Sequence, residues 1–398
     1  MKDNSIRAAF FLCGFAAFIN LYATQGILRE LAIAFDVSAE RAGQGVSATT
    51  LAVAIIAPFV GTLAARFDRR NVIVAAALAS ALPVVWSAHA AVFASFLAAR
   101  FAAGVLMPFI FAMSISYIGE RYHRERATEL SAIFVAGTTL GGFAGRFVTN
   151  LFTSMLGWRH ALDIVALLGF ATGLAIYASL PASGAAVRAD DGYATKTQWK
   201  LVMRAPVLAS FAVGACVLAS QVATFTFVGL RLTRAPFNFS TAGIGAIYAV
   251  FLVAVVVTPI SGRMARHRGP RDLALAAVGL AIAGSLLTLS GSVGAILAGL
   301  ALGSTAVFVE QACANAFISD AAAGARTTAI GIYLSCYYFG GSLGSVLPIP
   351  AWHRWGWAGC VAFVVAAQAL VGLLVFAYWG AERAASRSDA RGAPGQPS

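Results

Sequence analysis

Twelve stretches of roughly twenty apolar residues follow one another along the chain, each long enough to cross a bilayer as a helix. They fall near 8–28, 43–65, 71–88, 90–119, 127–153, 160–181, 205–230, 240–262, 272–291, 293–319, 327–349 and 357–380. Lipid offers the backbone no hydrogen bonds, so spans of this kind fold as helices, and glycine or proline within them is tolerated where neighbours re-satisfy the freed groups. Of the 398 residues, 60% are hydrophobic and only 11% are charged. An average soluble domain carries about 25% charged residues. The pattern predicts an all-α membrane protein of twelve transmembrane helices and excludes a soluble core.

The charges are placed by side. Of the 28 Lys and Arg, 20 lie at the N-terminus, in every second loop and in the C-terminal tail. Six lie in the opposite loops (Arg29, Arg41, Arg159, Arg231, Arg234 and Arg354), and Arg100 and Arg146 lie within spans. Basic loops stay in the cytoplasm, so both termini are expected there. The net charge of +12 is then a topology signal facing anionic lipid rather than a nucleic-acid surface. Lys2 and Arg7 precede an apolar run that reaches Leu28, longer than a signal-peptide core and without a clear cleavage site, which predicts a retained first span. The five cysteines sit in apolar stretches without metal-ligand spacing, so neither a metal site nor a disulfide framework is expected.

The chain repeats itself. Pro58-x-x-Gly61 before Arg66, Arg69 and Arg70 matches Pro259-x-x-Gly262 before Arg266, Arg268 and Arg271, 201 residues on. Gly141-Gly142-x-x-Gly145 matches Gly340-Gly341-x-x-Gly344, and Gly157-Trp158 matches Gly356-Trp357, both at 199; Arg126-Ala-Thr128 matches Arg326-Thr-Thr328 at 200. Parallel repeats of this kind place substrate near the midplane between two rocking halves. The expected domains are a six-helix bundle over 1–181, a cytoplasmic linker over 182–204, a second bundle over 205–381 and a disordered tail over 382–398.

These motifs resemble the major facilitator superfamily over nearly the whole chain. The loop Gly61-Thr-Leu-Ala-Ala65-Arg66-Phe-Asp68-Arg69-Arg70 resembles the superfamily's gating signature Gly-x-x-x-Asp-Arg-x-Gly-Arg-Arg. Ala65 stands where the acid of the inner-gate latch is expected, and Asp68 stands where glycine is. Asp68 is placed to cap the third span. Arg100-x-x-x-Gly104 resembles the intramembrane arginine motif tied to proton coupling in the exporters. Gly137-x-x-x-Gly141-Gly142-x-x-Gly145 resembles the antiporter glycine motif without its usual proline. Asn20-Leu-Tyr22-x-x-Gln25, Gly142-x-x-Gly145-Arg146 and Gly157-Trp158-Arg159 together resemble the bacterial drug and sugar efflux permeases, the YnfM-like branch of drug:proton antiporters, although Gly26 replaces the proline usual after the glutamine. The resemblance implies two parallel-repeat bundles and alternating access.

Charges at membrane depth are costly and mark function by default. Glu310 lies about ten residues from Asp320, so roughly 15 Å deep at 1.5 Å per residue. A carboxyl there can take and release a proton as water access alternates, or face a cationic substrate; the plainer alternative is a structural acid paired with an arginine or a helix hydroxyl. Arg100, also at mid-depth, can push a proton off a nearby acid or hold an anion, or simply satisfy backbone carbonyls. Arg146 lies toward the outer half, where snorkelling to the interface competes with a coupling role. Gly137, Gly141 and Gly145 share one face and read as helix packing. Asn20, Tyr22 and Gln25 in span one, Gln221 in span seven, Gln311 and Asn315 in span ten, and Tyr333 and Tyr337 in span eleven form polar patches that can line a substrate cavity or bond between helices. Phe109, Phe225 and Phe227 read as packing. The five histidines lie near span ends, away from any midplane relay.

No nucleotide-binding loop and no His-Glu-x-x-His occurs, so gradient-driven transport without a cofactor is expected rather than ATP hydrolysis or catalysis. The first expectation is proton-coupled export of a small organic molecule across the bacterial inner membrane, by a monomer. Uptake or facilitated transport of a metabolite is the alternative. A lipid-handling enzyme is disfavoured by short outer loops with few acids, and a non-transporting sensor remains a remote reading. Substrate does not follow from the sequence.

Overall fold

In the computed structural model, residues 2–64, 67–181 and 196–380 are described. Ala65, Arg66, the stretch 182–195 and the tail from 381 on lie outside them, and with them most of the expected linker and the whole expected tail. The described residues are helical almost throughout. Eleven helices are long and apolar enough to cross a membrane. The twelfth span is Lys2–Ile19 with its continuations Ala23–Gly26 and Leu28–Phe35. This first span therefore runs past the expected end at 28 and is broken in the middle. Span eleven, in turn, stops at Gly344 rather than 349, and a separate short helix, Ile349–Trp355, follows. Within the expected linker region lies another short helix, Lys196–Val202.

Long helices alternate direction, so Lys2 and the last described turn lie on one face, called the terminal face below. The opposite one is the far face. Spans two and eight each carry a 3-10 turn, Ala57–Phe59 toward the terminal end of span two and Tyr248–Leu252 in the first half of span eight. Gly157 (φ +85°) and Gly356 (φ +58°), the repeat-related glycines before Trp158 and Trp357, open spans six and twelve with a backbone that residues bearing a Cβ avoid. Asp68 caps span three as expected, its Oδ1 accepting from Asn71 N at 3.0 Å.

The glycine motif is a close-packing seam. A Cβ on Gly137, Gly141 or Gly145 would lie 2.1, 2.4 or 1.9 Å from the carbonyl oxygens of Phe11, Phe15 and Ile19 in span one. The repeat reproduces the seam: Gly340 and Gly344 meet the carbonyls of Ala215 and Ala219 at 2.0 and 2.4 Å. Small residues let backbones approach this closely in lipid, where dispersion rather than the hydrophobic effect joins helices. Gly142 is different, since its Cβ would touch only Arg146 Nη1 at 3.5 Å. Gly61 and Gly262 would meet nothing within 4 Å, so packing in this conformation does not require them.

Polar contacts join the halves on the far side, and spans two and eleven also pack together through Ala57–Phe59, nearer the terminal face. Among the described residues, the hydrogen bonds and ion pairs that join the halves are Gln25 to Thr226 (3.1 Å), Ser47 to Ser342 O (2.8 Å), Ser47 to Ser345, Thr241 to Glu30 (2.5 Å), Trp352 to Glu40 (2.7 Å) and Arg234 to Glu40 (3.9 Å). On the terminal face each half has its own polar links: in the C-terminal half Arg271 donates to Phe376 O at 3.1 Å and Trp379 to Ser210 Oγ at 3.0 Å. Arg69 grips Glu120 with two bonds of 2.7 and 2.6 Å, and Arg70 donates to the carbonyls of Leu180 and Tyr177 at 2.7 Å each. Of the gating motif, Arg69 and Arg70 thus tie span three to spans four and six in this conformation.

Gly145→Ala forces an atom into the carbonyl of Ile19 and is expected to destabilise by about 1–3 kcal/mol, the usual range for overpacking. Gly142→Ala is expected to be nearly neutral. Thermal unfolding of the two purified variants distinguishes them; equal midpoints would contradict the seam.

Candidate functional site

The break in span one organises the middle of the N-terminal half. Where the helix opens after Ile19, the carbonyls of Asn20 and Leu21 lose their helical partners. Arg100 Nη2 donates to both, at 2.7 and 3.1 Å. Arg100 is fully buried, and its Nε and Nη1 have no partner. The alternative of an arginine that satisfies backbone carbonyls therefore accounts for one of its three nitrogens and leaves two over. Asn20 also donates to Ser80 Oγ at 3.4 Å, and its Oδ1 is unpaired.

Arg146 does not snorkel. It is 6% exposed, so the snorkelling alternative does not describe this conformation: its guanidinium is enclosed by protein at the junction of the two halves. Nε donates to Gln25 Oε1 at 2.9 Å and Nη1 to Gly142 O at 2.8 Å. The ring centroids of Tyr22, Phe251 and Tyr248 lie 4.3, 4.7 and 5.2 Å from its Cζ. Among the described residues no acid lies within ion-pair distance. Gln25 passes the contact on, since its Nε2 donates to Thr226 in span seven. Gly26 explains itself here: a Cβ would lie 2.1 Å from Asn150 Nδ2 of span five.

Glu310 stands in the other half, 1% exposed. Its one hydrogen bond comes from Gln368 Nε2 at 3.3 Å to Oε2, and Oε1 has no partner. No arginine and no helix hydroxyl pairs with it among the described residues, so the alternative of an ion-paired structural acid lacks its cation. Gln368 is fully buried with its own Oε1 unpaired. Cys216, Cys313, Tyr333 and Tyr337 lie within electrostatic reach of Glu310. Tyr333 is fully buried with an unpaired hydroxyl, and the Tyr333 and Tyr337 rings are 5.9 Å apart.

The structure brings some expected residues together and leaves others apart. Tyr22 of span one packs in the same cluster as Tyr333, Tyr337 and Tyr338 of span eleven. Tyr22, Gln25 and Arg146 form one contact set. Gln221 lines a small cavity inside the C-terminal half. Gln311 and Asn315 are half-buried and make no hydrogen bond to a described residue. Phe225 is packing, as expected, with its centroid 4.2 Å from that of Phe251. Sequence reasoning missed Thr226, Tyr248, Phe251 and Gln368. Two signals were there: Thr226 is the repeat mate of Gln25 at offset 201, and Gln368 is the one amide in span twelve.

Two helical bundles of apolar spans, with buried charges that no ion pair neutralises among the described residues, are the architecture of a multi-pass membrane protein. The sequence profile of the Major Facilitator Superfamily matches residues 10–345. The inner membrane transport protein YnfM of Escherichia coli is 28% identical over 375 residues, covering 93% of this chain and 89% of that protein. A chloramphenicol resistance protein of Streptomyces lividans is 26% identical over 259 residues, covering 63% and 64%. Among solved structures, a bacterial homologue of the human lysosomal transporter Spinster, in an inward-facing and occupied conformation, superposes with a TM-score of 0.74 at 15% identity, over 96% of this chain and 97% of that one. The chain belongs to the major facilitator superfamily. It is a multi-pass transporter of the bacterial inner membrane that moves a small molecule by alternating access.

A desolvated cation–π contact contributes about 2 kcal/mol, and charge-assisted hydrogen bonds about 1.5–3 each. Arg146→Gln removes both kinds of contact at once. It is expected to loosen the far-side closure, seen as a longer spin-label distance between Ala34→Cys and Asn238→Cys. An unchanged distance distribution would rule out Arg146 as a latch.

Proposed function

We propose that this transporter exports a small organic molecule in exchange for protons, with Glu310 as the proton carrier. The observation that carries this reading is the environment of Glu310: a buried carboxyl at mid-depth whose single partner is a neutral amide and whose second oxygen is unpaired. A neutral partner does not offset a negative charge in low dielectric, so ionisation of this group depends on the arrival of water or of a counter-charge. That dependence is what couples a proton to alternating access. Arg100 and Arg146, buried without carboxylates, are the fixed cations of the cycle. Asn20, Tyr22, Gln25, Gln221, Gln311, Asn315, Tyr333 and Tyr337 are the proposed substrate-facing groups.

The bias of basic residues supports cytoplasmic termini. With that orientation the far face, where the polar contacts between the halves lie, is periplasmic. The relative that is a chloramphenicol resistance protein supports export. The expected boundaries of the two bundles, 1–181 and 205–381, and a monomeric state belong to the same proposal.

The test uses purified protein in proteoliposomes with an imposed pH gradient and chloramphenicol as the probe. Antiport predicts that the gradient drives chloramphenicol against its concentration and that Glu310→Gln loses this component while gradient-independent exchange continues. Flux that ignores the gradient and survives Glu310→Gln would sink the coupling. Flux running with the protons favours uptake instead.

A further inference from the structure

The repeat sets the same approach on both sides of the junction, and only one side carries a charge. Ser47 and Ser345 fill one side with hydroxyls. Their repeat mates, Tyr248 at offset 201 and Arg146 at offset 199, fill the other with a ring and a guanidinium. Closing the halves therefore does not need a cation. Arg146 is nonetheless almost completely buried, and its electrostatic neighbours are the phenols of Tyr22 and Tyr248, which are uncharged at pH 7. Aromatic rings attract a guanidinium through their quadrupoles, but they do not neutralise it. A buried charge without a counter-charge is costly to keep.

The contacts of Arg146 divide by half. Gly142 O, Gln25 and Tyr22 belong to the same half as the arginine, and Tyr248 and Phe251 belong to the other. Alternating access parts the halves on the far side, and the two rings of span eight then leave the guanidinium. The same movement breaks the bond from Gln25 Nε2 to Thr226. Gln25 Oε1 still accepts from Arg146 Nε, which keeps the amide nitrogen beside the guanidinium. Arg146 Nη2 donates to no described residue even before opening. Opening thus leaves two donor groups of one half, the Arg146 fork and the Gln25 amide, side by side without an acceptor. The Tyr22 ring, 4.3 Å from Arg146 Cζ, stays as an apolar wall. Water would satisfy the donors but not the charge. A carboxylate satisfies both, since its two oxygens match the N–H groups of the fork.

We propose that the substrate is an organic anion with an apolar body, and that its carboxylate becomes the counter-ion held by Arg146 and Gln25 when the far side is open. This names the substrate class for the groups read above as substrate-facing and rests on that reading. The anion and the rings of span eight compete for one guanidinium. Bound anion therefore favours the open far side, and closing restores the rings and expels the anion.

Calorimetric titration of the purified full-length protein at pH 7 tests this with pairs of like shape and unlike charge: benzoate with benzamide, and 1-naphthoate with 1-naphthamide. In at least one pair the carboxylate should bind about tenfold or more tighter than the amide, a ratio that one charge-assisted hydrogen bond supports. In Arg146→Gln the members of a pair should bind alike. Gln25→Glu gives Arg146 a carboxylate of the protein's own and should erase the preference too, while adding an ion pair to the fold. Loss of a merely structural arginine would weaken both members of a pair and leave their ratio unchanged. The preferred carboxylate should also lengthen the spin-label distance between Ala34→Cys and Asn238→Cys, and its amide should not. No carboxylate preference in the unaltered protein, a preference that survives either variant, or binding without a longer distance overturns the inference. None of these measurements uses a gradient. Flux that ignores the gradient would remove the Glu310 coupling and leave the preference, whereas coupled flux of chloramphenicol, which carries no anionic group, would stand if the preference were absent.

Discussion

Lipid supplies no hydrogen bonds, so every break in a membrane helix has to be answered by protein. The break after Ile19 is answered by Arg100, which reaches across from span four to the carbonyls of Asn20 and Leu21. Opening the helix there turns the next residues across the junction of the halves. Tyr22 comes to lie against Arg146, and Gln25 reaches both Arg146 and Thr226. One buried arginine thus holds open the segment from which a second is contacted. Removing the first would be felt at the second without either touching the other.

The closure of the far face follows the repeat. Gln25 and Thr226, which bond each other, are repeat mates at offset 201. Ser47 bonds Ser345, while their repeat mates, Tyr248 at offset 201 and Arg146 at offset 199, face each other as cation and ring. The same backbone approach is filled by two hydroxyls on one side of the molecule and by a guanidinium and an aromatic ring on the other. A symmetric scaffold therefore carries an asymmetric latch. The side with the arginine has more interaction energy to lose when the halves part.

Much of this scaffold was legible in the sequence. Span number, the glycine seam and the Asp68 cap depend on local pattern, and local pattern survives in a single chain. The partners of the buried charges were not legible in the same way. Glu310 could be placed at mid-depth by counting residues, but its contact with Gln368 joins helices 58 residues apart, and no spacing rule reaches that far. The snorkelling alternative for Arg146 failed for a related reason. Depth alone gave the distance to the interface, whereas Gln25, Gly142 O and three rings gave the guanidinium a nearer set of partners.

The placement of charge separates two tasks. Arg146 sits at the junction of the halves, where any relative motion changes its surroundings. Glu310 sits within one bundle, bonded to a helix of the same bundle, where rigid-body rocking leaves its nearest partner in place. Under the proposed coupling, the group that senses the motion and the group that holds the proton are different residues in different halves. Coupling between them has to pass through what lies between. Tyr337 is positioned for that, within electrostatic reach of Tyr22 on one side and of Glu310 on the other. Under the proposed coupling, parting the halves would carry Tyr22 away from Tyr337 and change the polarity around Glu310 with Glu310 itself in place.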